Sequence, residues 1–499
     1  MKTSGLGRFT LGQPVPARPH AVCVSLPHLN DLIGYEEKDP KTLAAMPTGY
    51  PRFVRHTMIT RMIDHLSLNH KENHHGYLFT KRSDCDKVIE RYQVKHAHVH
   101  EEESWTFLQI PKDCQSHSNV TSHFQHTGCG ISSRLAEDYL WNHGLLENRE
   151  VLSEINEPSS LIKDTIAEAH GPEVDREDIL LASSGANAFH ALFHTAVDHA
   201  KGSGKSIWIR WGWLYLDTIE VMNLYNSPEG KVIELNEVQN IELITSLFRE
   251  LGEQIAGVIT EFPTNPLLQA GDLEKVKQLC IKHNALLVID PTMVSPKNAK
   301  ITSLADVVVN SLTKYAGWEG DVMMGSLAFP KSSTLGKNLF EQTKSKICPP
   351  YSRDLVRMAE QIPFYNDFIK RSNASAMRVA EYLQKHPKVT KLHWAYQEKN
   401  LKHYHNFAGP DCPGCNLSFE IEGDFQTFYN RLQMLKSPSF GTEFSNCCPY
   451  VYLAHYQMIK SQQGRGILEE AGISPYLMRL SVGLEPVEHI TQTIDDALQ

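Results

Sequence analysis

The sequence predicts an α/β fold, with a mainly parallel sheet covered by helices on both faces and a smaller α/β domain at the C-terminal end. Two patterns carry this reading. From about residue 150 onward, short aliphatic runs alternate with segments of helical apolar spacing. Such alternation is how a chain builds a parallel sheet with helical crossovers. The length of 499 residues adds that there is room for two or three domains and a core able to keep a ligand away from water.

The elements follow in order. Residues 1–130 are rich in His and Pro and irregular in pattern, including the turn-prone "MPTGYPRF", and read as an N-terminal extension of short elements and loops. A large domain is expected over 131–350. It opens with the helical "SLIKDTIAEAH", and its strands are "SIWIRW" (206–211), "KVIEL" (231–235), "IAGVITEF" (255–262), "ALLVID" (285–290) and "ADVVVNSL" (305–312). Between them lie helical patterns such as "NIELITSLFRELG" and "DLEKVKQLCIKH". A small domain is expected over 351–499, from a long helical region (353–385) followed by "CNLSFEI" and "LMRLSVGLEPVEHI".

Composition excludes several classes of function. A net charge of −9 and 21% charged residues leave no basic footprint for nucleic acid or an anionic membrane. No stretch approaches the ~18 apolar residues of a membrane span, and the N-terminus lacks a secretory apolar core. The expectation is a cytoplasmic protein acting on small molecules. Ten cysteines, two of them adjacent at Cys447 and Cys448, read as free thiols in a reducing compartment.

Ligands of open α/β sheets collect at the carboxyl ends of strands, and polar residues stand where these strands stop. "SSGANA" (183–188) is a small-residue turn before a helix, suited to phosphate through its backbone amides or else merely a helix start. Asp290 closes a strand, where it holds a protonated ring nitrogen, a metal or a turn. Asn265 in "EFPTNP" either binds a ligand or sets the turn before Pro266. Trp211 offers a flat face for a ring, although core packing is the commoner use. Lys314, in "NSLTKYAG", follows an aliphatic strand among small hydroxyl side chains, and an amine in such a dry setting can form a Schiff base with an aldehyde. A phosphate cradle, an acid for a ring nitrogen, an aromatic plate and an amine together describe a pyridoxal phosphate site.

These motifs resemble the cystathionine gamma-synthase-like family of pyridoxal phosphate enzymes, over residues of about 130 to 495, while "WGWLY", "SSR" and "GWEGD", with the opening "PHAVCVSLPHLNDLIGYEE" and "GYPRF", resemble its longer, fungal-type cystathionine gamma-synthase branch. The resemblance implies fold type I of the pyridoxal phosphate-dependent transferases (aspartate aminotransferase-like), with a seven-stranded sheet. "NSLTKYAG" is similar to the family's S-x-T-K-Y segment, which implies Lys314 as the Schiff-base lysine and Ser311 and Thr313 as phosphate ligands. "SSGANA" resembles S-S-G-M-A-A and implies Gly185 and Ala186 as phosphate-cradling amides. "VIDPTMVSP" resembles the D-N-T-F segment, placing Asp290 at the pyridine nitrogen and Thr292 beside the cofactor. "TEFPTNP" is similar to E-x-P-T-N-P and places Asn265 near the ring oxygen. "MRLSVGLE" resembles R-x-S-x-G-x-E, which implies that Arg479 clamps the substrate α-carboxylate, and Ser439 falls where the family has a serine beside the lysine.

The chain also departs from the family. "WGWLY" stands where members have Y-G-G-T, so Trp211 can stack on the ring but brings no phenol, leaving Tyr215 and Tyr315 as candidate proton shuttles. The family's Y-S-R, which reaches a neighbouring subunit's phosphate, has its counterpart in "SSR" (132–134), with Arg134 retained. A homodimer or homotetramer is implied. The implied reaction moves the four-carbon unit of an O-acyl or O-phosphoryl homoserine onto the thiol of cysteine to give cystathionine. A lyase outcome and carbon–carbon bond formation remain open. Two rivals come from other classes: a non-catalytic scaffold, and metal binding by "HKENHH" (70–75) and "HAHVH" (96–100). Three imidazoles on one strand point in parallel rather than converge, so a solvated surface is the expected reading. "CPGC" (412–415) has zinc-like spacing without a matching second pair and reads as a turn.

Overall fold

The computed structural model describes residues 3–50, 53–67, 74–226 and 230–499. Its centre is a seven-stranded sheet in the spatial order Ile179–Ala182, Gly325–Ala328, Val307–Ser311, Leu286–Asp290, Ile255–Glu261, Ile207–Trp211, Lys231–Leu235. Gly325–Ala328 runs antiparallel to both neighbours, and the other pairings are parallel. Alternate side chains enter separate cores. Leu286 and Val288 join one face with the helix Gly185–Lys201, whereas Leu287 and Ile289 join the other. This two-sided burial is why the strands read as unbroken aliphatic runs.

The C-terminal region forms a four-stranded antiparallel sheet in the order Val389–His393, Asn416–Ile421, Met478–Ser481, Asn446–Pro449. Its core is shared with the start of the chain: Val24, Leu26, Leu29 and Leu32 pack with Ala376, Leu417, Phe419 and Leu480. The helix Leu29–Glu36 is thereby packed against this C-terminal sheet.

The stretch whose pattern gave no fold contains a three-stranded antiparallel sheet, ordered His74–Phe79, Trp105–Pro111, His98–Glu102. Helices Arg82–Arg91 and His117–Thr127 cover it around Tyr77, Phe79, Val88, Leu108 and Val120. Of the histidine runs, residues 70–73 lie outside the described residues. His98 and His100 are exposed on one edge strand; His98 meets the His74 ring at 5.7 Å and His100 meets Glu102 at 3.0 Å. Cys412 and Cys415 flank a turn with Gly414 at φ +76°, and all ten cysteines are free thiols.

Candidate active site

Lys314 lies in the turn after the strand Val307–Ser311, and its side chain is buried. Backbone bonds hold this turn, among them Lys314 N–H to the Ser311 carbonyl at 3.2 Å, Gly317 N–H to the Leu312 carbonyl at 2.8 Å and Tyr315 N–H to the Gly441 carbonyl at 2.9 Å. Only glycine suits position 441, because φ is +72° and a Cβ would stand 2.8 Å from the Tyr315 nitrogen. From this turn Nζ reaches Tyr50 Oη at 2.7 Å and Ser439 Oγ at 3.0 Å. Ser439 sits at φ +94°, a conformation that costs a non-glycine residue about 1–3 kcal/mol and is kept where surrounding structure demands it. The amine also lies 4.4 Å from the Tyr50 ring centre and 5.4 Å from that of Phe440.

Asp290 ends the neighbouring strand and faces the same cavity. Its Oδ1 accepts the Thr292 N–H at 2.8 Å, and the Thr292 hydroxyl in turn accepts the Ser311 N–H at 2.9 Å. Burial raises the Asp290 carboxyl, against the lowering effect of the Thr292 bonds. Opposite it on the next strand, Glu261 is raised by burial and then by the Asp290 charge. Glu261 accepts the Tyr215 N–H at 2.6 Å and the Asn265 N–H at 2.9 Å, so one acid ties two loops that border the cavity.

Arg479, on the strand Met478–Ser481, closes the far side. Its Nη1 donates to Asn265 Oδ1 at 3.0 Å, and the guanidinium packs between the rings of Phe440 (5.1 Å) and Tyr450 (5.5 Å). Among the described residues no carboxylate forms an ion pair with it. A buried guanidinium that faces a cavity and is paired with no carboxylate among the described residues is suited to bind a carboxylate bidentately.

The structure therefore brings together Lys314, Gly185, Ala186, Asn265, Asp290, Thr292, Ser311, Ser439, Arg479 and Tyr215. It keeps four expected residues apart from the cavity. Trp211 is packed in the core, its ring against the backbone at Gly271, where a Cβ would come within 2.6 Å. Tyr215, four residues on, borders the cavity with Thr218, so "YLDT" (215–218) matches Y-G-G-T better than the stretch beginning at Trp211. Tyr315 is buried, donating its hydroxyl to the Met293 carbonyl at 2.8 Å and accepting the Cys415 N–H at 3.0 Å, so its phenol is engaged away from the cavity. Thr313 exchanges hydrogen bonds with the Met324 backbone, and Ser311 alone of that pair lines the cavity.

Arg134 is likewise engaged elsewhere. Its guanidinium meets Glu150 at 2.5 and 3.0 Å, Asp354 at 2.9 Å and the Asp321 carbonyl at 3.0 Å, which satisfies the donors expected to reach a phosphate. Two cavity residues escaped the sequence reading. Tyr50 sits in a turn-rich stretch with no periodicity, although its Y-P-R setting is close to Y-S-R. Glu261 was visible in "TEFPTNP" as the acid closing a strand.

A profile of the Cys/Met metabolism PLP-dependent enzymes, those using pyridoxal phosphate, matches residues 156–499. The chain belongs to that family. Within it, an L-2-amino-4-chloropent-4-enoate dechlorinase/desaturase from Streptantibioticus cattleyicolor is 30% identical over 97% of each chain. A cystathionine gamma-synthase from Neurospora crassa is 27% identical over 98% of each. The cystathionine gamma synthase of Xanthomonas oryzae pv. oryzae has the same fold, with a TM-score of 0.58 at 22% identity over 69% of this chain and 86% of the other.

The family's cofactor is pyridoxal phosphate, and the cavity of this PLP-dependent enzyme fits it. Gly185, Asp290, Thr292 and Ser311 retain accessible surface toward the cavity while the residues around them are buried. Asp290 has no cationic partner among the described residues, which suits a protonated ring nitrogen. The helix that begins at Gly185 presents its first amides next to Ser311, so close that a Cβ on Gly185 would lie 2.8 Å from the Ser311 Cβ.

Proposed function

We propose that the protein removes the γ-substituent of an L-amino acid and, as its first reading, replaces it with the thiol of cysteine, forming cystathionine from an O-acyl or O-phosphoryl homoserine. The observation that carries this is the placement of Lys314, Asp290 and Arg479 around one buried cavity. Asp290 would hold the cofactor ring nitrogen, Ser311 and the Gly185 and Ala186 amides its phosphate, and Lys314 its aldehyde. When bound, the cofactor supplies an electron sink for bonds at the substrate α-carbon.

The chain's own groups do the rest. Arg479, steadied by Asn265, fixes the substrate carboxylate and so fixes which bond faces Lys314. The Lys314 amine, held between Tyr50 and Ser439, is placed to take and return protons at carbon. Phe440, Tyr450 and Tyr215 keep water from the reacting centre. Around and outside the lysine is a cavity of about 230 Å³, bordered by Tyr35, Glu36 and Lys38 of the N-terminal segment, in which a second substrate fits.

A second reading is elimination without a thiol, favoured by the full-length similarity to the dechlorinase/desaturase. Mass spectrometry of products from O-acetyl-, O-succinyl- and O-phospho-L-homoserine, each with and without cysteine, and from L-2-amino-4-chloropent-4-enoate, separates the two. Cystathionine formed only with cysteine supports replacement. Loss of the γ-group regardless of cysteine supports elimination, and no reaction with any of them sinks both. A homodimer or homotetramer is part of the proposal, checked by sedimentation.

A further inference from the structure

The stretch before residue 156, which the family profile does not match, places a side chain at the reacting centre. Tyr50 Oη lies 2.7 Å from Lys314 Nζ. Tyr50 borders both parts of the cavity, the inner one with Asp290 and Gly185 and the outer one with Arg479 and Ser439. It is 8% exposed. A packing role would account for its ring, which meets Phe53 at 6.3 Å. Packing does not account for a hydroxyl set on the amine, however, and a buried amine held by two hydroxyls is arranged for proton exchange. Neither Trp211, which has no phenol, nor Tyr315, whose phenol is spent on Met293 and Cys415, is placed to do this.

We infer that Tyr50 is a catalytic residue that relays a proton between Lys314 and the departing γ-substituent. This deepens the proposed function and rests on it. In the elimination half-reaction a C–H bond and a C–X bond break, a C=C bond forms, and HX leaves. Lys314 takes the proton from carbon and passes one to Tyr50 Oη, while the phenol's own proton goes to X, which departs with the C–X electron pair. Lys314 ends as the neutral amine and Tyr50 as the phenol, so no outside acid or oxidant is consumed. The phenol matters most when X is basic.

The test uses the full-length, cofactor-loaded protein carrying Tyr50→Phe, with Tyr215→Phe beside it. Acetate leaves O-acetyl-L-homoserine without needing a proton, whereas the thiolate leaving L-cystathionine needs one. The Tyr50→Phe loss in kcat should be about 100-fold larger with L-cystathionine than with O-acetyl-L-homoserine. Equal losses on both, no loss on either, or the differential appearing in Tyr215→Phe instead overturns the relay. Should the wild type turn over neither compound, the γ-chemistry reading fails, and the relay is judged on the pH midpoint of the visible absorbance of the loaded protein. Besides Tyr50 and Lys314, the titratable and charged groups facing this cavity are Tyr215, Glu261, Asp290, Arg479, His126, Tyr35, Glu36, Lys38, Cys448 and Tyr450, all unchanged in the Tyr50→Phe variant. A midpoint moved by more than about half a unit supports coupling of Oη to the lysine. An unmoved midpoint overturns it.

Discussion

Glu261 and Asp290 stand directly opposite each other at the carboxyl ends of adjacent parallel strands, as Cα partners in the ladder. Both carboxyls are raised, by burial first, to about 8 for Glu261 and about 6 for Asp290. Two acids this close in a dry cavity resist ionising together. A folded-state value above the unfolded one means that the folded protein binds the proton more tightly. The associated stability is therefore complete below the unfolded value near 4.5 and is lost as pH rises through about 8. In the cofactor-free protein, Glu261→Gln should gain in thermal midpoint relative to wild type across that window. A difference that does not change with pH would remove the pair as its source.

Asp290→Ala takes away the carboxylate proposed to hold the cofactor's ring nitrogen. Turnover should fall by at least about 100-fold while pyridoxal phosphate still binds, because Ser311, Lys314 and the helix amides remain. An unchanged rate would mean that another group protonates the ring.

Lys314→Ala should abolish the covalent link to the cofactor. Borohydride reduction followed by peptide mapping reads this directly, and a reducible adduct on a different lysine would reassign the site.

Arg479→Lys replaces a planar fork with a single ammonium. Losing one charge-assisted hydrogen bond to a carboxylate costs about 1.5–3 kcal/mol, so KM should rise roughly ten- to hundredfold with a smaller change in kcat. A normal KM would take Arg479 out of substrate binding.

Arg134→Ala leaves Asp354 buried without its cation and Glu150 with the longer Arg353 pair at 3.6 Å. Removing one member of such a network costs about 3–5 kcal/mol. The expected signature is a lowered unfolding midpoint in denaturant with cofactor affinity of the folded protein unchanged. Weakened cofactor binding at unchanged stability would restore its expected role at a phosphate.

Much of the site was legible because Lys314, Asp290 and Asn265 each follow a recognisable aliphatic strand, and strand ends are where such sheets bind ligands. The misplacement of Trp211 has a local cause. The strand ends at Trp211, but the cavity is bordered by Tyr215, the N-cap of the next helix, and "GWL" (212–214) between them is a turn that strand patterning does not count. Arg134 has an unrelated reason. Its partners lie 16 and 220 residues away, and no local spacing announces that a cation is already paired. Tyr50 lay hidden because its hydroxyl meets a residue 264 positions on, out of a stretch without helix or strand period.

The opening residues of the chain are bonded to its closing ones. Gly5 donates to Glu485 at 2.7 Å, and Gly7 donates to the Gln433 carbonyl at 2.9 Å. During synthesis the segment holding Gly5, Gly7, Leu29 and Leu32 can complete these contacts only after residues up to about 485 have been made. A nascent chain halted near residue 400 would have Lys314 and the helix carrying Ala376 and Leu383, but not Leu417, Phe419 and Leu480, the rest of the core that Leu29 and Leu32 join, nor Arg479, so enzymatic competence should arrive late.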